Sequence, residues 1–440
     1  MPEGNDTASD AENRPPQTNL LDRVLDPANL NQAWERVRSN KGAAGIDGMS
    51  VAAFPEFARQ HMPRLIQQIR DGRYKPAAVR RVWIPKSDGS ERPLGIPTVL
   101  DRVFQQAIAQ VLGPLFDADF SDQSFGFRPG KDAHAALGHL LEASSNGYQW
   151  GVDCDLKSFF DTVNHDLLMR EVQKRVRDKM LLRLVGKYLR AGVRLEDGTT
   201  EKSRMGVPQG GPLSPLLANI MLDPLDKRLE ALGLPFARYA DDFLELAQSE
   251  EEARQAMAQV RQFLECELRL LVNEDKSQVA RLKDCSFLGF RISGKKLKRT
   301  DKAAKRFKMR IREITSRSRG VSMASIYTEL KRYCTGCFHY FKPGLAYAET
   351  DKWDKWIRRR VRLCQWKQWK RPRKRRRELI RLGIAPERVK LATRSRKGYW
   401  RMSGNSLVQI ALDKEYLRSQ GLPSLHDLWL VFKYGLKAQT

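Results

Sequence analysis

Two short stretches of the chain place carboxylates where they could do chemistry. One is Asp155-Leu156-Lys157-Ser158-Phe159-Phe160-Asp161, the other Tyr239-Ala240-Asp241-Asp242. Asp is common in turns, and an Asp-Asp pair at a hairpin tip is ordinarily just solvated. Two acidic turns, each beside a strand, mean more than either alone. If the strands are neighbours, Asp155 and Asp241 face each other at one sheet edge. Hard carboxylate oxygens suit Mg²⁺. A pair of them can hold two ions about 3.5–4 Å apart, where an attacking hydroxyl is activated and a leaving oxygen is steadied.

The elements that must position these groups are legible as patterns. From Tyr148 to Asp155, Trp150, Val152 and Cys154 alternate with Gly151, Asp153 and Asp155, which predicts a half-buried strand with carboxylates on its open face. Phe236 to Ala247 is a second β pattern, interrupted at Ala240-Asp241-Asp242. Arg81 to Pro85 and Glu91 to Ile96 flank Lys86-Ser87-Asp88-Gly89-Ser90, a hairpin signal. Helical spacing runs through Leu20 to Val37, stopping near Lys41-Gly42. It recurs through Val103 to Leu112 and through Leu167, Leu168, Val172 and Val176. Long helices alternating with short strands predict an α+β body. In the last third three stripes predict a small three-helix bundle: Ala304, Phe307, Ile311, Ile314; then Ile326, Leu330, Tyr333, Cys337, Phe341; then Trp353, Trp356 or Ile357, Val361, Cys364.

Charge is distributed unevenly. The 440 residues carry a formal net charge of +27. From Lys295 onward there are 40 Lys and Arg against 11 Asp and Glu, whereas the first 294 residues hold 39 against 41. A near-neutral body joined to a basic third implies a polyanion partner, most often nucleic acid. No apolar run approaches the ~18–20 residues of a membrane helix. Met1 to Gln17 is polar and acidic, unlike a signal peptide, and reads as a disordered tail. Six Cys do not make a disulfide framework, and a reducing cytoplasm fits. Cys334 and Cys337, with His339 and Cys364, are incomplete for zinc and read as buried thiols on a helical stripe.

Taken together, these motifs resemble the reverse transcriptases encoded by group II introns. Tyr239-Ala240-Asp241-Asp242 is similar to that family's YxDD box. Asp155 to Asp161 resembles its first catalytic motif, and Met205-Gly206-Val207-Pro208-Gln209-Gly210-Gly211-Pro212-Leu213-Ser214-Pro215 its nucleotide-binding motif. The resemblance implies a right-hand polymerase: fingers and palm with an antiparallel palm sheet, a helical thumb called domain X, and a basic C-terminal DNA-binding region. It implies RNA-directed DNA synthesis from dNTPs with two Mg²⁺ ions, and a maturase role in intron splicing. Asp155, Asp241 and Asp242 would form the metal-binding triad, Asp155 and Asp241 being the direct ligands. Phe160 would lie under the incoming sugar and select dNTPs. Gln209 and Gly210 would bring backbone close to the nascent pair, since glycine has no Cβ. Arg80, Lys86 and Arg92 on the hairpin would neutralise the triphosphate. Lys276 matches a family Lys that supports the palm or reaches the phosphates. Leu288 and Gly289 fall in the primer-grip region, and Lys41 in a glycine-rich lid loop over template or primer.

By the same resemblance the chain divides into a tail (1–18), an N-terminal extension (19–60), fingers and palm (61–295), thumb (296–370) and DNA-binding region (371–440). Fourteen Lys and Arg lie between Lys352 and Arg377, with four Trp among them. Lys355, Arg358, Arg359, Arg362, Lys367, Lys370, Arg371, Arg373, Lys374 and Arg375 are the expected nucleic-acid contacts. Trp353 and Trp356 read as core, while stacking on bases is open to Trp366 and Trp369. The implied partners are intron RNA, an RNA template with its DNA primer, and target DNA, with no membrane. The chain resembles the branch of the family that lacks an endonuclease. A domesticated, free-standing reverse transcriptase and a non-catalytic splicing chaperone are the alternatives, and monomer and dimer are both open.

Overall fold

The computed structural model describes residues 19–85, 89 and 91–435. The expected tail over residues 1–18 and Lys86 at the hairpin tip lie outside the described residues. The chain forms two compact units that part between Leu288 and Gly289.

In the first unit, β1 (Val79–Pro85) and β2 (Glu91–Ile96) form the antiparallel hairpin, Arg80 opposite Ile96 and Ile84 opposite Arg92. β3 (Trp150–Cys154) follows the helix Ala133–Ser145. The short β4 (Val193–Arg194) and β5 (Thr200–Glu201) extend the hairpin's sheet in the order β2-β1-β4-β5. β6 (Phe236–Tyr239), β7 (Asp242–Ala247) and β8 (Gln278–Arg281) join β3 in a second, antiparallel sheet of order β6-β7-β3-β8. The alternation read from sequence holds only in part, because Gly151, expected on the open face, is buried with Cys285 against it, and Trp150 is only half-buried. Val152 and Cys154 are buried, and Val152 packs with Ala247 under the helix Glu250–Gln262, whose Ala253 and Ala256 are small enough for close approach. Phe243 to Ala247 are all buried, because β7 is an inner strand.

The N-terminal helical stretch is not continuous. One helix covers Leu20–Val24 and another Pro27–Ser39. Pro27 cannot continue a helix but suits its first turn, and the Asp26 carboxylate accepts from the N–H groups of Ala28 and Asn29. The helix Val99–Asp117, capped by Thr98, buries eleven residues at the unit's centre. The helix expected through Val176 spans only His165–Gln173.

In the second unit, β9 (Phe290–Ser293) and β10 (Lys296–Arg299) form a hairpin. The helices Asp301–Ile314, Met323–Phe341 and Tyr347–Gln368 carry the three stripes on their buried faces. Among the described residues six further short helices follow, and Leu379, Val389, Val408, Leu417 and Leu425 complete the same core. That core also takes Trp366 and Trp369, 1% and 3% exposed and set edge-on to each other. Stacking on bases is therefore closed to both. Their basic neighbours are displaced onto the outer helix face, while the indoles follow the helical period inward.

One residue of the first unit contradicts its surroundings. Glu245 on β7 is fully buried, and neither carboxylate oxygen has a hydrogen-bond partner among the described residues. Burial, then the charge of Glu252, push its carboxyl up to about 8. A carboxyl raised in the folded state binds a proton the unfolded chain has already lost, so stability falls as pH climbs toward that value. We expect Glu245→Gln to be more stable than the parent at pH 8 by on the order of 2 kcal/mol, the gap closing near pH 5. Urea unfolding at the two pH values measures it.

Candidate active site

Asp155 leaves the end of β3 and is held by the segment that precedes β8. Its N–H donates to Ser277 Oγ at 3.1 Å, and its carbonyl accepts from the Asn273 N–H at 2.8 Å. Its Oδ2 accepts from Asn273 Nδ2 at 3.0 Å and faces Lys276 Nζ at 3.6 Å. The following residues stay paired, Leu156 bridging Val272 and the Lys157 N–H donating to the Leu271 carbonyl. Lys276 was legible as a candidate. Asn273 was not, although it occupies the same turn and makes the shorter contact.

Asp241 and Asp242 are placed by a tight reversal. Tyr239 pairs directly with Asp242, leaving Ala240 and Asp241 as a two-residue loop, and Ala240 adopts φ +61°. A left-handed alanine costs about 1 kcal/mol or more, so the surroundings must impose it. They do so through Arg238, whose side chain is wholly buried. Its guanidinium donates to both Asp226 carboxylate oxygens, to Asn219 Oδ1, to Ser124 Oγ and to the Ala240 carbonyl, all at 2.5–3.0 Å. Asn219 Nδ2 in turn donates to the Gly126 carbonyl, and a Cβ on Gly126 would fall 2.3 Å from the Ala240 nitrogen. Only glycine fits behind this turn.

The register brings the two acidic turns to one end of the sheet, since Cys154 pairs with Phe243 just inside Asp155 and Asp242. Poor hydration raises the Asp241 carboxyl; its own backbone N–H and then the Arg92 charge oppose the rise, and Asp155 adds to it. Asp242 is pushed up to about 7 by the protein mass around it, then by Asp153, Asp241 and Asp155, against a hydrogen bond from the Leu288 N–H. Its side chain nonetheless opens to solvent, and hydration there offsets part of the rise. Asp153, raised to about 6 by burial and further by Asp155, is a fourth member of the cluster. Among the described residues no three acidic, His or Cys side chains close far enough to hold an ion alone. Two carboxylates whose remaining partners are water and substrate phosphate are the composition Mg²⁺ favours. Crowded, poorly hydrated carboxylate oxygens fit a divalent cation on that basis.

Arg92 reaches the cluster's edge. Its Nε donates to Gln209 Oε1, and the Gln209 carbonyl accepts from the Gly95 N–H at 2.7 Å. Gly210 has φ +116°, and a Cβ there would lie 2.7 Å from the Gly95 carbonyl. The Gln209-Gly210 loop is thus clamped against β2. Arg80 and Arg92 share one hairpin face, as their pairing with Ile96 and Ile84 requires. Phe160 is buried at 8% exposure beside Phe159, and its carbonyl accepts from the Val207 N–H. Lys41 is exposed at the start of the glycine-rich loop, which Arg102 ties down through the Ala43 carbonyl. Leu288, at φ +51°, ends the first unit, and Gly289, at φ +80°, begins the second.

In the second unit the expected cationic contacts separate into two kinds. Lys370, Arg371, Arg373 and Lys374 are exposed. Arg362 is buried and donates to the Leu412 carbonyl, Lys367 donates to the Arg317 carbonyl, and Arg375 lies over the Trp366 ring while donating to the Trp369 carbonyl. Arg362 is therefore corrected to an internal strut. Lys355 pairs with Asp351, Arg358 is half-buried, and Arg359 lies over the Trp400 ring.

The Arg238 network yields a direct test. Removing one partner of a fully buried ion pair leaves the other charge stranded, which costs about 3–5 kcal/mol. We expect Arg238→Met or Asp226→Leu alone to lose that much in urea unfolding, and the double substitution to lose less than their sum.

Two stretches match known families. Residues 84–292 match Reverse transcriptase (RNA-dependent DNA polymerase) and residues 304–383 match Group II intron, maturase-specific domain. Protein YkfC of Escherichia coli (strain K12) is 32% identical over 318 residues, covering 63% of this chain and 83% of that protein. Group II intron-encoded protein LtrA of Lactococcus lactis subsp. cremoris is 37% identical over 222 residues, covering 50% of this chain but only 37% of LtrA. Among solved structures, the partial Cas6-RT-Cas1–Cas2 complex aligns at 26% identity and a TM-score of 0.37, over 57% of this chain and 43% of that one. With both domains in order on one polypeptide, and acidic turns gathered at the end of an antiparallel palm sheet, the chain belongs to the group II intron-encoded reverse transcriptases that carry a maturase domain.

Proposed function

We propose that this chain copies RNA into DNA on a primer 3′ end, using dNTPs and two Mg²⁺ ions, and that it binds intron RNA as a maturase and a DNA target during intron mobility. The observation that carries the reading is the arrival of Asp155 and Asp241, 86 positions apart in sequence, at one end of the β3–β7 pair. Asp155 and Asp241 would hold the metal. The chemistry a divalent ion would supply there is a lowered pKa for the primer hydroxyl and stabilisation of charge on the leaving pyrophosphate. Asp242, bonded to the Leu288 N–H, ties the acidic turn to the segment proposed to grip the primer. Arg92 meets the triphosphate from β2, with Arg80 on the same face and Lys86, outside the described residues, as a further cation of that segment. Gln209 and Gly210 bear on the nascent pair, and Phe160 borders the sugar.

The maturase role rests on the match over residues 304–383 and on the exposed cations that begin at Lys370. These would contact phosphates with the salt dependence such contacts bring.

Two expected outcomes test this reading. Asp241→Ala should reduce primer extension on an RNA template by at least about a thousandfold, with binding of the primer–template unchanged in a filter assay; full activity in that variant would refute the assignment. Asn273→Ala removes the neutral donor that aims Asp155 Oδ2. It should lower extension by roughly tenfold and raise the Mg²⁺ concentration for half-maximal rate, as loss of an outer-shell partner does. An unchanged Mg²⁺ dependence would show that Asn273 does not orient the ligand.

A further inference from the structure

Trp400 lies outside both matched stretches, and nothing in the catalytic arrangement uses it. It sits on the short helix Tyr399–Met402, anchored by Met402, which is 2% exposed. Trp400 is 40% exposed, far more than Trp353, Trp366 or Trp369. The Arg359 guanidinium lies over its ring, 4.1 Å from the centroid, and Arg359 Nη2 also reaches the Trp400 carbonyl at 3.4 Å. That carbonyl accepts from Ser403 Oγ at 2.7 Å as well. Gly404 backs the guanidinium, a Cβ there falling 3.4 Å from Nη2. A cation thus lies over the indole, and the residue as a whole is exposed.

The surroundings are cationic. Arg394, Arg396, Lys397 and Arg401 are all exposed within eight residues, and among the described residues none of them is in an ion pair. An exposed, immobilised indole amid unpaired cations is poorly suited to an apolar protein surface, which would strand the charges. It suits a single strand of nucleic acid, whose phosphates meet the cations while an unstacked base lies on the ring. A duplex keeps its bases stacked and offers the indole no face.

We propose that Trp400 is a base-stacking platform for single-stranded nucleic acid, with Arg359 as the residue that positions the ring and Arg394, Arg396, Lys397 and Arg401 as its phosphate contacts. The inference deepens the nucleic-acid partnership proposed above and names a subsite for it. RNA and DNA share the chemistry recognised here, a flat base on a negatively charged backbone.

The test uses the full chain and three probes of equal length: single-stranded DNA, single-stranded RNA of the same base sequence, and blunt duplex DNA, each titrated at several salt concentrations. Trp400→Leu keeps an apolar side chain without a π face. It should bind at least one single strand about tenfold more weakly than the parent, with duplex binding changed less than twofold. The strand that loses affinity identifies the source, RNA or DNA. Because Trp400 is uncharged, the slope of log affinity against log salt should not move, whereas Arg396→Gln with Lys397→Gln should flatten it. Trp400→Phe should bind nearly as the parent does, which separates stacking from misfolding. Equal losses for strands and duplex, an altered salt slope in Trp400→Leu, or no loss at all would overturn the proposal. A parent chain that binds none of the probes would instead remove the nucleic-acid partnership itself.

Discussion

The buried contact between Arg238 and Asp226 is the constraint on which the acidic turn depends. A guanidinium has five N–H donors and no acceptors, so burying it is tolerable only when nearly every donor finds an oxygen. Arg238 achieves this with a carboxylate, an amide, a hydroxyl and the carbonyl of Ala240. The last of these matters most. It fastens the strained first residue of the Ala240-Asp241 loop to the interior, so Asp241 projects from a turn that cannot relax. Gly126 closes the other side by allowing backbone to lie where any side chain would collide.

Against this rigid turn stands an equally constrained Asp155. Backbone and side-chain contacts from Asn273 and Ser277 hold it on both sides. Burial first, and then the neighbouring negative charges, raise the proton affinity of Asp153, Asp241 and Asp242. The cluster is a stored electrostatic cost that a divalent cation would relieve, and the scaffold cannot relieve it by moving. Arg92 offsets part of the negative charge from the hairpin side, while Gln209 holds its guanidinium in place.

What the sequence made legible was what local pattern carries. Period-two alternation placed β3, the turn between β6 and β7 stood out as an interruption, and the hairpin was marked by its Asp-Gly. Three helical stripes gave the first helices of the second unit. What escaped depends on partners far apart in the chain. Arg238 meets Ser124 and Asp226 only after folding, and nothing in the spacing of Asn273 singles it out as the partner of Asp155. Trp366 and Trp369 were read by the charge of their neighbours, yet on a helix the neighbours along the chain point elsewhere. Arg362 shows the same thing from the charged side: it lies in a basic run but turns inward to the Leu412 carbonyl. Glu245 occupies an inner strand where pattern alone demands an apolar residue.

The central claim is spatial, that the Asp155 and Asp241 turns share one metal locus, and iron-mediated backbone cleavage tests it without relying on turnover. Fe²⁺ replacing Mg²⁺, with ascorbate and peroxide, cuts the chain wherever the metal sits. The account predicts cuts beside both Asp155 and Asp241, suppressed by excess Mg²⁺ and lost from both places together in Asp155→Asn. Cleavage at only one of the two turns, or a cut at Asp241 that survives Asp155→Asn undiminished, would contradict it.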